Sequence, residues 1–361
     1  MKKKRRKSTK IQAVAVDLFC GVGGMTHGFV KEGFNVSAGI DTDESCRYAF
    51  EKNNNAQFVC ESIEDFDAGR LAEYYPDDCI KILIGCAPCQ PFSKYTNRYA
   101  EELSYTGKWG LLIKFGELIR EFRPDVVSME NVPELVKHKK YRVYDDFIDV
   151  LTESGYEVYK DLVYCPDYGV PQKRKRLVVL ASRYGPIDLI PPTHKPEDYM
   201  TVEDTIGHLA HLEAGEIDEK DPLHRAAGLS DVNLNRIKNT PTGGSWKDWD
   251  KSLVTKCHKK KRGKTYGSVY GRMVWSEPSP TITTQCYGFG NGRFGHPDQD
   301  RAISLREAAL LQTFPEDYDF IDPESDYYIS RIGRQIGNAV PVQLGRVIAK
   351  SIKNHLEMNC E

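Results

Sequence analysis

One cysteine in this sequence lies in a rigid turn directly after a hydrophobic run. Cys89 belongs to the turn at 85–93, and the apolar residues at 80–84 precede that turn. A proline on each side of the Cys89–Gln90 pair fixes the backbone angle φ there. Two kinds of chemistry are open to this thiol: half of a redox Cys-x-x-Cys pair with Cys86, or a single nucleophile.

A glycine-rich turn is the second candidate for chemistry. Residues 17–24 read Asp-Leu-Phe-Cys-Gly-Val-Gly-Gly, and glycines at such a turn either only tighten it or let the backbone approach a ligand. Thr26 takes the place of the third glycine of the dinucleotide fingerprint. Asp41 ends the next strand, where it can accept hydrogen bonds from ribose hydroxyls, and Phe19 offers a flat face to adenine. The pattern predicts a nucleoside cofactor without a pyrophosphate rather than NAD.

Charged residues accompany two further strands. Glu130 stands at the end of a central strand, where it is either a solvated strand-end residue or a functional acid. The segment 172–176, Gln-Lys-Arg-Lys-Arg, leads into the strand at 177–181. It is either a solvated basic turn or the part of a site that holds a polar, planar substrate through its arginines.

The elements that must position these residues alternate between strands and helices. The apolar runs predict strands at 13–19, 36–40, 57–60, 80–84, 125–129, 156–163 and 177–181, and helices at 24–31, around 49–50, at 111–122 and near 143–153. This alternation implies an α/β fold with a doubly wound, mostly parallel sheet. Ligands of open α/β sheets bind outside the carboxyl ends of the strands, and Cys89 follows such an end.

The regular pattern ends after about Tyr184, where prolines and glycines interrupt a long stretch. We therefore predict a basic flexible tail at 1–10, a catalytic and cofactor-binding domain at 11–185 plus 331–361, and a smaller irregular domain at 186–330. Within the irregular part, Ser304 begins a capping box that predicts a short helix. A last helix is expected from Pro341 to about Leu356.

The composition is ordinary for a soluble globular enzyme: 361 residues, 40% hydrophobic and 28% charged. We expect no membrane span, no signal peptide and a reduced, cytosolic protein. One Cys-x-x-Cys among ten cysteines cannot supply four zinc ligands, and no metal is expected. The formal net charge of -2 hides basic blocks at 2–7, 173–176 and 256–262, which can bind a polyanion.

Six segments in this order resemble the DNA (cytosine-5)-methyltransferase family. They lie at 17–24, 88–93, 130–132, 172–176, 306–307 and 335–341. The resemblance implies a Rossmann-like methyltransferase domain with a target-recognition domain at 186–330. It also implies transfer of a methyl group from S-adenosylmethionine to carbon 5 of a flipped cytosine in a specific double-stranded DNA sequence. A prokaryotic restriction-modification or epigenetic role follows from the same resemblance.

The resemblance assigns four catalytic residues. The Cys89 thiolate would add to carbon 6 of cytosine and make carbon 5 enamine-like, able to take a methyl group. Glu130 would bind N3 and the exocyclic amine, and Arg176 the O2 edge with Arg174 beside it. Loss of the carbon-5 proton and elimination of Cys89 would then release 5-methylcytosine.

The cofactor residues implied by the resemblance are Phe19, Gly21, Gly23, Asp41, Ile63, Pro88, Leu112, Asn338 and Ala339. Ser62 stands where the family often has an Asp for the adenine amine, so a hydroxyl or a backbone carbonyl would have to substitute. Cys86 stands where a glycine is common, and we expect it to be a small buried residue behind the cofactor site.

For DNA, the resemblance places Gln90 and Ser93 near the flipped base and a mobile catalytic loop at 101–109. Thr281 and Thr283 resemble the element that contacts the DNA backbone near the target. Arg272, together with Arg293 and the basic run 256–264, is a candidate reader of phosphates or bases. The expected partners are double-stranded DNA and a cognate restriction endonuclease that acts separately. A monomer in the bacterial cytoplasm, associated with DNA, is expected.

Two alternatives compete with this interpretation. A thiol oxidoreductase would use Cys86 and Cys89 as a redox pair, but it leaves Glu130, Arg176 and Asn338 without roles. A tRNA methyltransferase of the same superfamily would not need the long variable region. A non-catalytic DNA-binding relative is disfavoured because the catalytic side chains are all present.

Overall fold

A seven-stranded sheet forms the centre of the protein in the computed structural model, which describes residues 12–88, 105–137 and 142–360. Its strands are β1 (Ala13–Leu18), β2 (Asn35–Asp41), β3 (Gln57–Cys60), β4 (Ile80–Gly85), β5 (Val126–Asn131), β6 (Glu157–Tyr164) and β8 (Lys175–Ser182). Two short strands, β7 (Gln172–Lys173) and β9 (Ser279–Pro280), pair in parallel outside this sheet. The predicted strands are confirmed, and β5 extends to Asn131, so Glu130 lies within the strand.

Helices cover the sheet and recur along the rest of the chain. They are α1 (Gly24–Lys31), α2 (Arg47–Asn54), α3 (Ala68–Ala72), α4 (Tyr105–Phe122), α5 (Glu134–Lys137), α6 (Val143–Glu153), α7 (Val202–Ile206), α8 (Asp231–Lys238), α9 (Leu305–Leu311), α10 (Ile329–Asn338) and α11 (Val342–Asn359). Within the described ranges, none of these helices has the length and apolar character needed to cross a membrane.

The strand order β3-β2-β1-β4-β5-β8-β6 makes the sheet doubly wound. The first five strands of that order run parallel, whereas β8 pairs antiparallel with both β5 and β6. The prediction of a mostly parallel sheet is therefore confirmed. The chain moves outward from β1 on one side and from β4 on the other, which makes the gap between them the topological switch point where ligands bind.

The direction of β8 brings its first residues to the edge where β5 ends. Leu177 lies opposite Asn131, and Val178 lies opposite Glu130. A parallel β8 would have placed its first residues at the other edge of the sheet. The antiparallel pairing is thus the reason that the arginines of segment 172–176 reach the acid on β5.

The central strands are buried on both faces, as expected for a parallel sheet that helices cover on each side. Side chains alternate along β1, so Ala15 packs into one hydrophobic cluster while Val14 and Val16 pack into the other. All three side chains are fully buried. The buried sheet therefore holds the side chains at the carboxyl ends of its strands in fixed positions.

The last helix returns to the beginning of the chain and packs against the first. A Cβ atom added to Gly28 of α1 would lie 2.5 Å from the backbone nitrogen of Arg346 on α11. One added to Gly345 would lie 3.0 Å from the carbonyl oxygen of Met25. Glycine at these two positions lets the helix backbones approach closely, so α11 completes the layer that begins with α1.

The region at 186–330 contains short elements and many turns. Part of it has a small hydrophobic cluster of its own, formed by Ile237, Trp246, Trp249, Phe289 and Ala302. The capping box at Ser304 is confirmed: its hydroxyl accepts from the Glu307 amide, and the Glu307 carboxylate accepts from the Ser304 amide. Helix α9, which follows, packs into the same large cluster as α1 and α11.

Candidate active site

A cavity of about 640 Å³ opens at the carboxyl edge of the sheet, where β1, β2, β4 and β5 end. Its volume is within the usual range for small-ligand sites. Six residues predicted to hold a cofactor line it: Phe19, Gly21, Asp41, Pro88, Asn338 and Ala339. Glu130, Arg174 and Arg176 line the same cavity. The fold therefore brings the two groups of predicted residues together at the switch point.

The glycine turn between β1 and α1 forms one wall. Phe19 has a φ of 61° and Gly23 a φ of 84°, so the backbone is left-handed at both residues. A Cβ at Gly23 would also lie 2.7 Å from the Asn54 side-chain nitrogen. The Asp41 carboxylate ties the turn to the end of β2, because Oδ2 accepts from the Gly21 amide at 2.9 Å. Its other oxygen, Oδ1, accepts from the Asp43 amide at 2.9 Å.

Polar side chains support this turn from behind, and the sequence motifs did not point to them. The Tyr318 hydroxyl donates to the carbonyl of Val22 and accepts from the side-chain amide of Asn54, at 3.2 Å for the second bond. Oδ1 of Asn54 lies 2.9 Å from Nδ1 of His27. Burial lowers the pKa of His27. These residues are far apart in the chain, so no local spacing could have identified them.

Asp17 is the most enclosed carboxyl group on the cavity wall. It is 1% exposed, and the Thr26 hydroxyl donates to its Oδ2 at 2.6 Å. Burial raises the pKa of Asp17 to about 7, with a further contribution from the negative charge of Asp41. Thr26, which breaks the dinucleotide fingerprint, is therefore the partner of this carboxyl group.

Glu130 projects from β5 into the cavity and is 2% exposed. Nε of Arg176 lies 2.8 Å from its Oε1. Within the described part of the chain, Oε1 nevertheless accepts no hydrogen bond. The site thus holds a buried carboxyl oxygen at ion-pair distance from a cation.

Cys86 contacts the other oxygen of the same carboxyl group. Its Sγ donates to Oε2 of Glu130 at 2.7 Å. The prediction that Cys86 is merely a buried residue behind the cofactor site is wrong: it is half-buried and lines the cavity. Strand pairing explains the difference. Gly85 of β4 lies opposite Met129 of β5, and because the two strands run parallel, the next residues, Cys86 and Glu130, are also neighbours.

The Arg174 side chain is buried and donates hydrogen bonds to backbone carbonyls. Its guanidinium donates long hydrogen bonds to Ile282 at 3.4 Å and to Ala339 at 3.5 Å. Burial lowers the pKa of Arg174 to about 10, and the nearby charge of Arg176 acts in the same direction. Arg174 therefore joins the start of β8 to the 281–284 segment and to the cavity wall.

Three residues predicted to hold the cofactor are not on the cavity wall. Gly23 is the residue at the start of α1, and Ile63 and Leu112 are buried in a hydrophobic cluster. The Ser62 hydroxyl accepts from the amide of Glu64 at 3.2 Å, so it caps a short turn. In the part of the chain that the structure describes, these residues support the wall rather than form it.

Three residues predicted to act on the substrate, Cys89, Gln90 and Ser93, lie outside the described residues, as does the part of the predicted catalytic loop at 101–104. Pro88, directly before Cys89, is described and lines the cavity. Thr281 donates to the carbonyl of Lys173 at 3.0 Å, and Thr283 is exposed.

Arg272, predicted to be a reader of phosphates or bases, has its side chain buried within the irregular region. Its side chain is 6% exposed, and its guanidinium donates to the carbonyls of Ile237, Thr240, His296 and Gln299 and to the Asp300 carboxylate. Arg293 likewise donates to three backbone carbonyls. By contrast, the cationic side chains of the run 256–264 are exposed. In the irregular region, Arg272 is therefore a buried structural residue, whereas the lysines and the arginine of the run 256–264 are exposed to solvent.

A second groove, of about 790 Å³, adjoins the cavity and shares Asp43, Arg334 and Gln335 with it. Its walls carry charges of both signs, and its lining contains neither Glu130 nor Arg176. We therefore assign the candidate active site to the smaller cavity.

Two solved structures share the fold of this chain. A DNA modification methyltransferase encoded within an Escherichia coli prophage superposes with a TM-score of 0.69 at 20% identity, covering 96% of this chain and 100% of that chain. A DNMT2 mutant of Spodoptera frugiperda superposes with a TM-score of 0.64 at 16% identity, covering 95% of this chain and 100% of that chain. The chain thus has the Rossmann-like methyltransferase fold.

Sequence comparison identifies the family more specifically than the fold does. The family model of the C-5 cytosine-specific DNA methylases matches residues 14–354. The chain is 57% identical over 343 residues to the Type II methylase M.HgiDII of Herpetosiphon aurantiacus, covering 95% of each protein. It is 32% identical over 358 residues to the Type II methyltransferase M.Eco47II of Escherichia coli, covering 95% of this chain and 79% of that protein. The chain belongs to the C-5 cytosine-specific DNA methylase family and is a DNA (cytosine-5)-methyltransferase, as its motifs predicted.

Proposed function

We propose that this enzyme transfers a methyl group from S-adenosylmethionine to carbon 5 of a cytosine flipped out of a specific double-stranded DNA sequence. The observation that carries the proposal is the ion pair of Glu130 and Arg176 on the wall of a cavity at the switch point of the sheet. Pro88, the residue before Cys89, lines the same cavity. An acid, a cation and a nucleophile can therefore meet one cytosine ring.

The cavity suits a nucleoside cofactor that carries positive charge. Carboxyl groups of Asp17, Asp41 and Asp43 line it, and a Cβ at Gly21 would meet no atom within 4 Å, so the turn faces open space. Phe19 would contact the adenine, Asp41 the ribose, and the backbone at Gly21 the remaining polar groups, with Asn338 and Ala339 also lining the cavity. S-adenosylmethionine, when bound there, supplies an electrophilic methyl group.

The protein residues activate the cytosine. The Cys89 thiolate forms a bond to carbon 6, the 5,6 double bond shifts to carbons 4 and 5, and the electron pair of the former double bond between carbon 4 and N3 moves onto N3. Glu130 supplies a proton to N3 and accepts from the exocyclic amine, while Arg176 binds O2 and Arg174 supports it. Carbon 5 can then take the methyl group, with S-adenosylhomocysteine as the leaving group. Loss of the carbon-5 proton to solvent and return of the N3 proton to Glu130 restore the 5,6 double bond as the bond from Cys89 to carbon 6 breaks.

The DNA is held by groups outside the cavity. The exposed cations of the run 256–264 suit phosphates, and the exposed Thr283 would contact the backbone near the target. Gln90 and Ser93 would approach the strand beside the flipped base, and Thr281 acts by holding the 281–284 segment against Lys173. We do not include Arg272 among the proposed DNA contacts, because its guanidinium donates its hydrogen bonds to acceptors within the protein.

The names of the relatives suggest the biological setting. Type II methylases share most of their length with this chain, so we infer that it acts in a restriction-modification system. A cognate endonuclease would cut the same sequence when it is unmethylated, acting as a separate protein. We further infer a monomer that works on DNA in the bacterial cytoplasm.

The direct test supplies the wild-type enzyme with S-adenosylmethionine labelled in its methyl group and with mixed-sequence duplex DNA. Label is expected in the DNA, and bisulfite sequencing is expected to show protected cytosines in one short sequence. Cys89→Ser is the control and should transfer no label. Transfer to tRNA without transfer to duplex DNA would overturn the proposal.

A further inference from the structure

The contact between Cys86 and Glu130 is not needed by the reaction as described above. The thiol donates to Oε2 of Glu130 at 2.7 Å, and Arg176 lies 2.8 Å from Oε1. The two oxygens of one carboxyl group are therefore held by different neighbours. A glycine, which is common at this position in the family that the motifs resemble, has no side chain with which to make the first contact.

The contact restrains how the carboxyl group meets the arginine. A guanidinium prefers to bind both oxygens of a carboxylate at once, through two parallel hydrogen bonds. Oε2 is instead engaged by Cys86, and within the described residues Oε1 accepts no hydrogen bond. With Oε2 held, the Glu130 carboxyl group cannot rotate to pair with Arg176 through both oxygens. The carboxyl group is consequently fixed in one orientation relative to Arg176.

We propose that Cys86 is a positioning residue for cytosine activation: its thiol holds the Glu130 carboxyl group in the orientation that meets N3 and the exocyclic amine. The inference rests on the role proposed for Glu130. Cys86 forms no covalent bond and undergoes no redox change in this role. It acts through Glu130 and leaves the binding of the methyl donor unchanged.

Two substitutions separate this role from simple packing. Cys86→Ala removes the donor, and Cys86→Ser restores one of similar size. Loss of one hydrogen bond corresponds to about a fivefold change in rate. We therefore expect Cys86→Ala to lower kcat about fivefold, with KM for S-adenosylmethionine within twofold of wild type, and Cys86→Ser to recover most of the loss. The rate of covalent trapping on 5-fluorocytosine DNA should fall by the same factor.

Cys79 provides the matched control, because it directly precedes β4 just as Cys86 directly follows it. Cys79→Ala should leave kcat unchanged. In a Glu130→Gln background, Cys86→Ala should cause no further loss, since the carboxyl group on which it acts is absent. Should Cys86→Ala fail to fold, as judged by circular dichroism and binding of S-adenosylmethionine, Cys86→Gly takes its place.

The possible results differ clearly. A Cys86→Ala enzyme with wild-type kcat, or one that is altered only in KM for S-adenosylmethionine, overturns the positioning role. So does an equal loss in the Glu130→Gln background, or a Cys86→Ser enzyme as slow as Cys86→Ala. A wild-type enzyme that transfers no methyl group to duplex DNA is a different result, because it overturns the proposed function itself.

Discussion

The Tyr318 hydroxyl donates a hydrogen bond to the backbone carbonyl of Val22, 296 residues earlier in the chain. Val22 belongs to the glycine turn and lines the cavity, whereas Tyr318 is 1% exposed and lies behind it. The wall that faces the cofactor is therefore held in place by a side chain that never reaches the cavity. Its removal should affect cofactor binding rather than the chemical step.

Tyr318→Phe tests this relationship. The variant removes the Tyr318 donor from the Val22 carbonyl and one of two acceptors from the Asn54 side-chain amide, which still donates to Phe50. A lost hydrogen bond costs about 1 kcal/mol. We expect KM for S-adenosylmethionine to rise about fivefold while kcat changes little. Tyr48→Phe is the control, because its hydroxyl donates to Asp319 at 2.7 Å and does not touch the turn. Equal KM values in Tyr318→Phe and wild type would refute the assignment.

Asp17 makes the stability of the enzyme depend on pH. Its folded pKa of about 7 lies above the ordinary value of 3.8, so the folded protein binds a proton that the unfolded chain has released between these values. The stability that the protonated form provides is full below about pH 4 and is lost as the pH rises through about 7. The slope is about 1.4 kcal/mol per pH unit within that window.

Asp17→Asn keeps a neutral side chain at every pH. The free energy of unfolding of both proteins is measured in urea between pH 5 and pH 8. Relative to the variant, the wild type should lose stability as the pH rises to about 7, and the difference should stay constant above that pH. Curves that run parallel over the whole range would contradict a raised pKa at Asp17.

Arg272 should matter for stability and not for DNA contact. Its guanidinium satisfies four carbonyls and one carboxylate. Removing this buried guanidinium takes the donor away from the carbonyl acceptors, and leaving one buried polar group unsatisfied costs about 1 to 3 kcal/mol. Arg272→Leu should therefore lower Tm by several degrees, and Arg262→Leu, at an exposed position, should not. An unchanged Tm in Arg272→Leu, with weakened DNA binding, would restore Arg272 as a DNA contact.

The exposed basic run predicts how DNA binding responds to salt. Each cation that neutralises a phosphate contributes about 0.9 to the slope of log K against log salt concentration. The double substitution Lys259→Gln and Lys260→Gln should reduce that slope by about two. The measurement is fluorescence anisotropy on a duplex at several salt concentrations, with Lys220→Gln as a control outside the run. A slope equal to that of wild type would exclude the run from the interface.

Covalent trapping tests the nucleophile. A duplex with 5-fluorocytosine at the target retains fluorine where a proton should leave, so the bond from Cys89 to carbon 6 cannot break. Wild-type enzyme should form an adduct that survives denaturation on a gel, and Cys89→Ser should form none. Glu130→Gln should form it about a hundredfold or more slowly, because general acid catalysis of this kind typically contributes at least that factor. Absence of the adduct with wild type would argue against addition of Cys89.

Local patterns were sufficient for much of the fold. Apolar runs marked the strands, and Ser304 with Glu307 marked the start of α9, because capping depends on residues three apart. The direction of β8 could not be predicted, since a strand has the same composition in either direction. Only the pairing of Leu177 with Asn131 shows why the arginines meet Glu130.

The errors have a common physical origin. Arg272 looked like a DNA contact because charge usually means exposure, but its acceptors are spread from Ile237 to Asp300 and assemble only in the folded region. Cys86 was expected to be buried behind the cofactor site. Its contact with Glu130 depends on the register between β4 and β5, which the sequence of one strand does not contain. Tyr318 was missed because its partner Val22 lies 296 residues earlier in the chain.

The return of α11 to α1 has a consequence for synthesis. The cavity takes Gly337, Asn338, Ala339 and Val340 from the end of α10 and the turn that follows, and the next helix covers α1. The glycine turn therefore leaves the ribosome early, but the cavity that it lines is completed only after the segment 329–359 has emerged. A chain still in translation, or one broken off before that segment, is expected to be inert toward the host chromosome, so modification begins only with complete molecules.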